Sequence, residues 1–484
     1  MKTKFYFSIV AMVFAALTAS AESFMYNGLA YNINGTTPTN VEVTTPTGGY
    51  TSLGGDITIP KTVYNNNKTY TVTSIGSKAF LNCAAITSIV IPPTVELIRQ
   101  YAFQRCSGLK TVTFQDAANS KLAEIGYYAF SESGLTSITL PQSVKTLSDH
   151  MFYKCEDLTT ASLPNGLTSC GSSTFLGCTS LKTVNIPTGL EAVPQAFLYK
   201  CNNVKSITIP SNIKKIGGAA FAFTGITSIT IPSGVTNLGS EAFRACSGLT
   251  SITIPSSVTE TENYESNHRG IFLDCTGLTS VNVQNSIIWF REFKGCTSLK
   301  NVTLGKNVVD IRWRDDYPDY FPFIGCPIEN LTVSSNVAAD IVVYGDSQAQ
   351  STLKTLTLND GVTALPENAF EGCSELEKVT LPSGLKSIGN AAFKNCTRMG
   401  DLYAKMVKPF AIDASVFSGV QQHGYCDLHV PQGSKVRYSA MEVWKEFTII
   451  TEDAGSAPKR GDVNEDGDVT IADVVAVLNI MAGN

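Results

Sequence analysis

The 484-residue sequence is poor in charge, at 16% Asp, Glu, Lys and Arg, and has only four histidines and three tryptophans. Its formal net charge of -5 supplies none of the basic field that a phosphate backbone requires, which excludes nucleic acid as a general partner. After residue 21 no stretch approaches about 18 consecutive apolar residues, so no transmembrane helix is expected. H-E-x-x-H, a phosphate-binding glycine loop, a G-x-S-x-G elbow and a dinucleotide fingerprint are all missing, and scarce histidine leaves few general bases. The expectation is that the protein is not an enzyme. Paired carboxylates, which need only meet in space, are the catalytic arrangement that stays open.

What the chain does have is the composition of folded, turn-rich protein, with 43% hydrophobic residues, 38 glycines and 20 prolines. At its start, Lys2 and Lys4 precede an apolar run over residues 5–17, and Ala19-Ser20-Ala21 follows as an A-x-A cleavage site. Residues 1–21 therefore predict a signal peptide, a mature chain beginning at Glu22, and a secreted or cell-surface destination.

The middle of the sequence repeats. Phe80, Phe103, Phe130, Phe152, Phe175, Phe197, Phe221, Phe243, Phe272, Phe293, Phe323, Phe370, Phe393 and Phe417 recur in matching contexts. The interval after Phe323 is about double the others and hides one more unit, whose strand lies near residues 353–358. About 15 units of roughly 24 residues result, inside the leucine-rich repeat window. One unit runs Ile75-Gly76, Ala79-Phe80, Cys83, Ile86, Ile89, Ile91-Pro92 and Val95, so Ile86, Ile89 and Ile91 fit L-x-x-L-x-L. Residues 88–91 alternate like a short half-buried strand, and Pro92, which lacks the N–H of a continuing ladder, ends it. A coil this short cannot bury its apolar row alone. The units must stack as a repeat solenoid, a leucine-rich-repeat-like parallel β-strand stack with one continuous core.

The pattern Ile-Gly, Ala-Phe, Cys, then Leu-Thr-Ser-Ile-Thr-Ile-Pro, clearest over residues 238–255, resembles the BspA-like leucine-rich repeat family. That resemblance covers residues 74–431 and implies an exported bacterial protein that adheres to protein or glycan ligands. Residues 22–73 are similar to the strand-rich N-terminal cap of such proteins. Residues 432–452, with Trp444, Phe447 and Ile450, resemble a closing cap, needed to cover the last coil's apolar edge.

Eleven of the 13 cysteines fall three or four residues after a repeat phenylalanine, and Ser133 and Thr224 take that place elsewhere. Replacement by small hydroxyl residues favours free buried thiols that pack and hydrogen bond. Stacked parallel side chains also set Cβ atoms poorly for disulfides, although an oxidising destination argues for them. His423, Cys426 and His429 are spaced three apart, as zinc ligands can be. On a strand, however, the two histidines would share one face and the cysteine the other.

Two further features concern binding. Outward strand positions are rich in threonine, including Thr139, Thr208, Thr230, Thr253, Thr303 and Thr357. Such rows could contact sugars, proteins or ice, or simply reflect threonine's fitness for a wet strand face. The units from Phe243 and Phe293 are long, each with extra residues after its strand. These insertions and the segment between them carry Tyr264, Arg269, Trp289, Trp313, Arg314, Tyr317 and Tyr320, side chains of the type that anchors protein recognition and sugar stacking. They are the candidate ligand contacts, with coverage of irregular core as the competing role.

After a linker over residues 453–460 comes Asp462-Val463-Asn464-Glu465-Asp466-Gly467-Asp468, closing at Asp473. Counting Asp462 as the first position, Asp462, Asn464, Asp466 and Asp473 place side-chain oxygens at the calcium-loop positions 1, 3, 5 and 12. Asp468 would add its main-chain carbonyl, and Gly467 sits where the loop must turn sharply. The expected cofactor is Ca2+. With a short helix suggested by Ile471, Val474, Val475 and Leu478, residues 461–484 resemble one type I dockerin repeat, a family in which two such repeats pair. That resemblance implies a cohesin-like partner. Two functions follow: a non-catalytic adhesion protein with a calcium-binding tail, or an accessory component of an extracellular polysaccharide-degrading assembly recruited through that tail.

Overall fold

The computed structural model describes residues 23–33, 39–50, 52–261, 270–289, 291–311, 321–336 and 347–453, together with 475 and 477. The chain winds into a parallel β-solenoid of about 15 turns, as the repeat predicts. Each turn contributes to one or both of two strand rows. The longer strands form the first row and the Ile-Gly segments form the second, as two-residue strands such as Leu97–Ile98, Glu124–Ile125, Thr146–Leu147 and Ser169–Cys170. A nine-stranded parallel sheet begins at Ser251–Ile254 and ends at Ile449–Asp453. Its pleat sorts the sequence as expected: Ile252 and Ile254 are buried, while Ser251 and Thr253 are exposed.

The phenylalanines form the spine. Phe80, Phe103 and Phe130 stack with ring centroids 5.1 and 5.0 Å apart, and the Phe243, Phe272, Phe293 and Phe323 rings repeat this at 5.3, 5.5 and 5.1 Å. Each fully buried ring is worth about 2–3 kcal/mol by burial alone, and stacking along the axis makes that gain collective. The main chain bends around most of these rings through two left-handed residues, two before and two after the phenylalanine. Tyr128 and Glu132 flank Phe130 in this way, as do Glu241 and Ala245 around Phe243.

One unit is read out of frame by its phenylalanine. The stack position after Phe175 belongs to Leu198, whose N–H donates to the Ala220 carbonyl as the Phe221 N–H donates to that of Ala242. Phe197 occupies the small-residue position ahead of it and meets Phe175 edge-on at 83°. The left-handed pair shifts with it to Ala196 and Lys200. In the double-length interval, a helix over Ser347–Thr352 with buried Ala349 precedes the strand Thr355–Leu358.

Both ends of the core are covered. At the start, Ser23–Tyr26, Leu29–Ile33 and Asn40–Thr44 pair antiparallel, and the last of these joins the solenoid by pairing parallel with Lys68–Ile75. Tyr50 stacks on Phe80 at 5.8 Å. At the other end Trp444 and Phe447 meet Phe417 edge-on, and the Trp444 Nε1–H donates to the Phe410 carbonyl at 2.9 Å. The buried Tyr438 hydroxyl donates to the Met406 carbonyl at 2.9 Å, so the cap is apolar without leaving these polar groups unpaired.

Candidate binding face

The cysteines settle into a structural role. All 13 are free. The Sγ–H groups of Cys106, Cys155, Cys178 and Cys201 donate to the carbonyls of Phe80, Phe130, Phe152 and Phe175 in the preceding coil, at 3.0 to 3.1 Å. Ser133 and Thr224 lie 3.4 and 3.3 Å from the next coil's Cys155 and Cys246 sulfurs. The thiol row therefore ties coil to coil. Burial pushes Cys155 up to about 11 and Cys106, Cys201 and Cys246 up to about 12, which keeps these thiols protonated and unreactive at neutral pH.

The outward rows of the nine-stranded sheet are in strict register. One row runs Thr253, Asn282, Thr303, Thr332, Thr357, Thr380 and Tyr403 across adjacent strands. Near the C-terminal end it becomes charged and aromatic. The His429 ring stacks on Tyr403 at 4.2 Å, with Lys378 Nζ 4.6 Å from the Tyr403 ring centroid on the neighbouring strand. His429 Nε2 lies 3.1 Å from Asp401 Oδ1, and its Nδ1 lies 3.4 Å from Asp453 Oδ1. This cluster was not anticipated. Its only sequence signal is an aromatic and a histidine in places where earlier coils have threonine.

The zinc-spaced residues His423, Cys426 and His429 do not converge. Cys426 is buried, while His423 sits in the turn before the strand Asp427–Pro431 and faces Glu446 at 3.7 Å. Among the described residues, no group of three or more His, Cys, Asp or Glu is placed to hold a metal ion.

Of the proposed ligand contacts, Trp289 alone lies among the described residues. It is buried at 7% exposure, which favours core coverage over ligand contact for that ring. Tyr264, Arg269, Trp313, Arg314, Tyr317 and Tyr320 lie outside the described residues, as do the calcium-loop positions Asp462, Asn464, Asp466, Asp468 and Asp473. From the tail, Val475 and Val477 are helical and exposed.

Close to Trp289 is a residue the repeat pattern should have flagged. Glu292 fills the position held by Ala220, Ala242, Ala369 and Ala392 ahead of their phenylalanines. It is 3% exposed, and its Oε2 has no hydrogen-bond partner among the described residues. Burial raises its pKa to about 8, against a smaller lowering by a hydrogen bond with the Trp289 main chain.

The first row is interrupted. Thr183–Val184 ends a three-stranded sheet and Ser251–Ile254 begins the next. Between them, residues 206–209 and 228–231 make no main-chain ladder, although each lies in the same Ser-Ile-Thr-Ile-Pro pentapeptide that forms the strand at Ser251. The second row stays paired across this zone, with Lys215 opposite Asn237 and Asn237 opposite Glu260. A shallow groove of about 410 Å3 lies at the resumption of the first row, over residues 229–231 and the strands from Ser251, Ser280 and Asn301.

Stacked parallel coils with a buried aromatic spine, a polar outward sheet and capped ends define a leucine-rich-repeat solenoid. A family described as BspA type leucine rich repeat region matches residues 73–205, 170–268, 191–317, 265–399 and 321–422, well over half of the chain, and the chain belongs to it. A leucine-rich repeat protein from Bacteroides ovatus is 24% identical, with a TM-score of 0.51, over 78% of this chain and 94% of that one. A leucine rich cell surface protein from Faecalibacterium prausnitzii is 25% identical, with a TM-score of 0.45, over 76% and 96%. No curated protein matches the chain. Among the described residues, no helix is long and apolar enough to cross a membrane.

Proposed function

We propose that the protein is an exported, non-catalytic binding protein that engages extracellular protein or glycan ligands through the outward face of its solenoid and the two edge insertions. The observation that carries this is the in-register polar face of the nine-stranded sheet, a broad, regularly patterned surface suited to an extended partner. Membership of the BspA type repeat family supports the same role. Residues 1–21 would direct export, with 22–73 and 432–452 closing the solenoid formed by 74–431. Past the linker at 453–460, residues 461–484 would form the calcium-binding element. Asp462, Asn464, Asp466 and Asp473 would present carboxylate and amide oxygens to Ca2+, with the Asp468 carbonyl as a further ligand.

The test is an array of glycans and immobilised matrix proteins probed with the full chain and with a variant lacking residues 461–484. Retained capture by the truncated variant supports binding through the solenoid. Loss of assembly with a cohesin-like partner, and of nothing else, points instead to an accessory role in a polysaccharide-degrading assembly. Calcium titrated into the full chain, with the truncated variant as blank, tests the tail: no difference in heat removes the calcium site.

A further inference from the structure

The groove at the resumption of the first strand row is chemically unlike the rest of that face. Its polar lining consists of hydroxyls and carboxamides: Thr230, Ser251, Thr253, Ser280, Asn282 and Thr303, with Asn301 at its far side. Among the described residues no ionisable side chain lines it, whereas the same face carries Lys378, Asp401 and His429 further along. Half-buried Ile229 adds an apolar patch to its floor. Beside that patch the main chain of residues 228–231 makes no ladder bond to either neighbouring coil, so its N–H and C=O groups open onto the groove's edge.

We propose that this groove binds an uncharged oligosaccharide, an assignment that rests on the binding role given above. A sugar hydroxyl both donates and accepts, as do the threonine and serine hydroxyls, and the carboxamides of Asn282 and Asn301 offer both functions side by side for neighbouring hydroxyls. The apolar C–H face of a pyranose suits Ile229. A charged glycan would lose hydration here without a counter-charge to offset it. With no aromatic or arginine among its described lining residues, the groove would hold a sugar by hydrogen bonds from its hydroxyls and carboxamides rather than by ring stacking. Its volume is within the range of small-ligand clefts, enough for a few sugar units.

The experiment titrates the full chain with linear glucan, mannan and galactan oligosaccharides, with sialylated and sulfated glycans and immobilised matrix proteins in parallel. At least one uncharged series should bind. Its affinity should fall tenfold or more in the Asn282→Lys, Thr303→Lys double variant and stay unchanged in Thr380→Lys, which alters the same outward row away from the groove. Both sets of substitutions lie at outward positions, and thermal melting checks that each variant is folded. Binding of uncharged sugars that is equal in wild type and the double variant overturns the assignment. Capture of a matrix protein with no uncharged sugar bound overturns it while leaving the general binding role standing; no capture of any probe overturns both.

Discussion

Ser228-Ile229-Thr230-Ile231-Pro232 and Ser251-Ile252-Thr253-Ile254-Pro255 are the same pentapeptide one coil apart, and they differ in structure. The second is a strand paired along its length to Ser280–Val283; the first makes no ladder, and Ile229 is half-buried where Ile252 is buried. Local propensity cannot explain this. One difference lies in the turn ahead of each strand. From Phe243 the chain passes through Cys246-Ser247-Gly248 to Leu249, but from Phe221 it passes through Thr224-Gly225 to Ile226, one residue fewer. Ser133-Gly134-Leu135 has the same short form, and the first-row ladder is broken there too, between Thr111–Phe114 and Ser137–Thr139. At Gly225 the coils touch so closely that a Cβ would lie 2.2 Å from the Asn202 carbonyl oxygen, the same approach that Gly108 makes to the Ala84 carbonyl oxygen in a full-length turn. Turn length is one difference between the two coils and does not decide pairing alone: Ser137–Thr139 follow the short turn and still pair with Thr160–Ser162, and residues 206–209 follow a full-length turn without a ladder.

The unladdered coil is held instead by its core. Phe221 and Phe243 stack at 5.3 Å, and the Cys246 Sγ–H donates to the Phe221 carbonyl at 3.2 Å. Phe243→Ala should therefore lower unfolding stability by about 3–5 kcal/mol, read as a shift in denaturant midpoint at unchanged slope. A loss below about 1 kcal/mol would break the comparison, since it would mean that something other than the spine carries these coils. The second largest effect belongs inside the laddered half, at Glu292. A carboxyl whose folded pKa is raised from 4.5 to about 8 contributes stability fully present below the unfolded value and lost as pH rises through the folded one. Stability should fall by about 3 kcal/mol between pH 4.5 and 7 on this account. Glu292→Gln should flatten that part of the profile, and an identical slope in the two proteins would show that the carboxyl is not ionising in a dry site.

Much of this was legible because the period is long and strict. The solenoid, the rows facing in and out, and the free packed thiols follow from where Phe, Ile and Cys recur. The frame of the Phe197 unit did not, because Phe197 and Leu198 are adjacent and both apolar. The signal was Cys201, four residues after Phe197 rather than the usual three. Glu292 was equally visible as an acid in an alanine column. The groove was hidden because its neighbours repeat one pentapeptide, and only the stacking distinguishes them. Tyr403 and His429 lie on different coils, which composition alone does not bring together.

Lengthening the short turn sharpens the comparison directly. Replacing Thr224-Gly225 by the Cys-Ser-Gly of the next coil should let residues 228–231 pair with Ser251–Ile254. Amide exchange at Ile229 and Ile231 should then slow by about tenfold, corresponding to roughly 1.4 kcal/mol of local protection. Unchanged exchange in a folded variant would mean that turn length is not what keeps the ladder open.

The smallest effect concerns the bends that both regions share. Ala245 holds φ 53° two residues after Phe243, where Gly295 and Gly372 serve the equivalent bends after Phe293 and Phe370. An L-residue there carries a Cβ clash of about 1–2 kcal/mol that glycine does not, and glycine's greater freedom when unfolded returns roughly half of it. Ala245→Gly should raise stability by about 0.5–1 kcal/mol, measurable by denaturant titration. If the same change at Ala219, at φ 53° beside the unladdered strand, gives an equal gain, the bend is indifferent to the state of the ladder next to it. A larger gain at Ala219 would show that the open ladder leaves the main chain free to relax around its bend, and that the two regions differ in stiffness as well as in pairing.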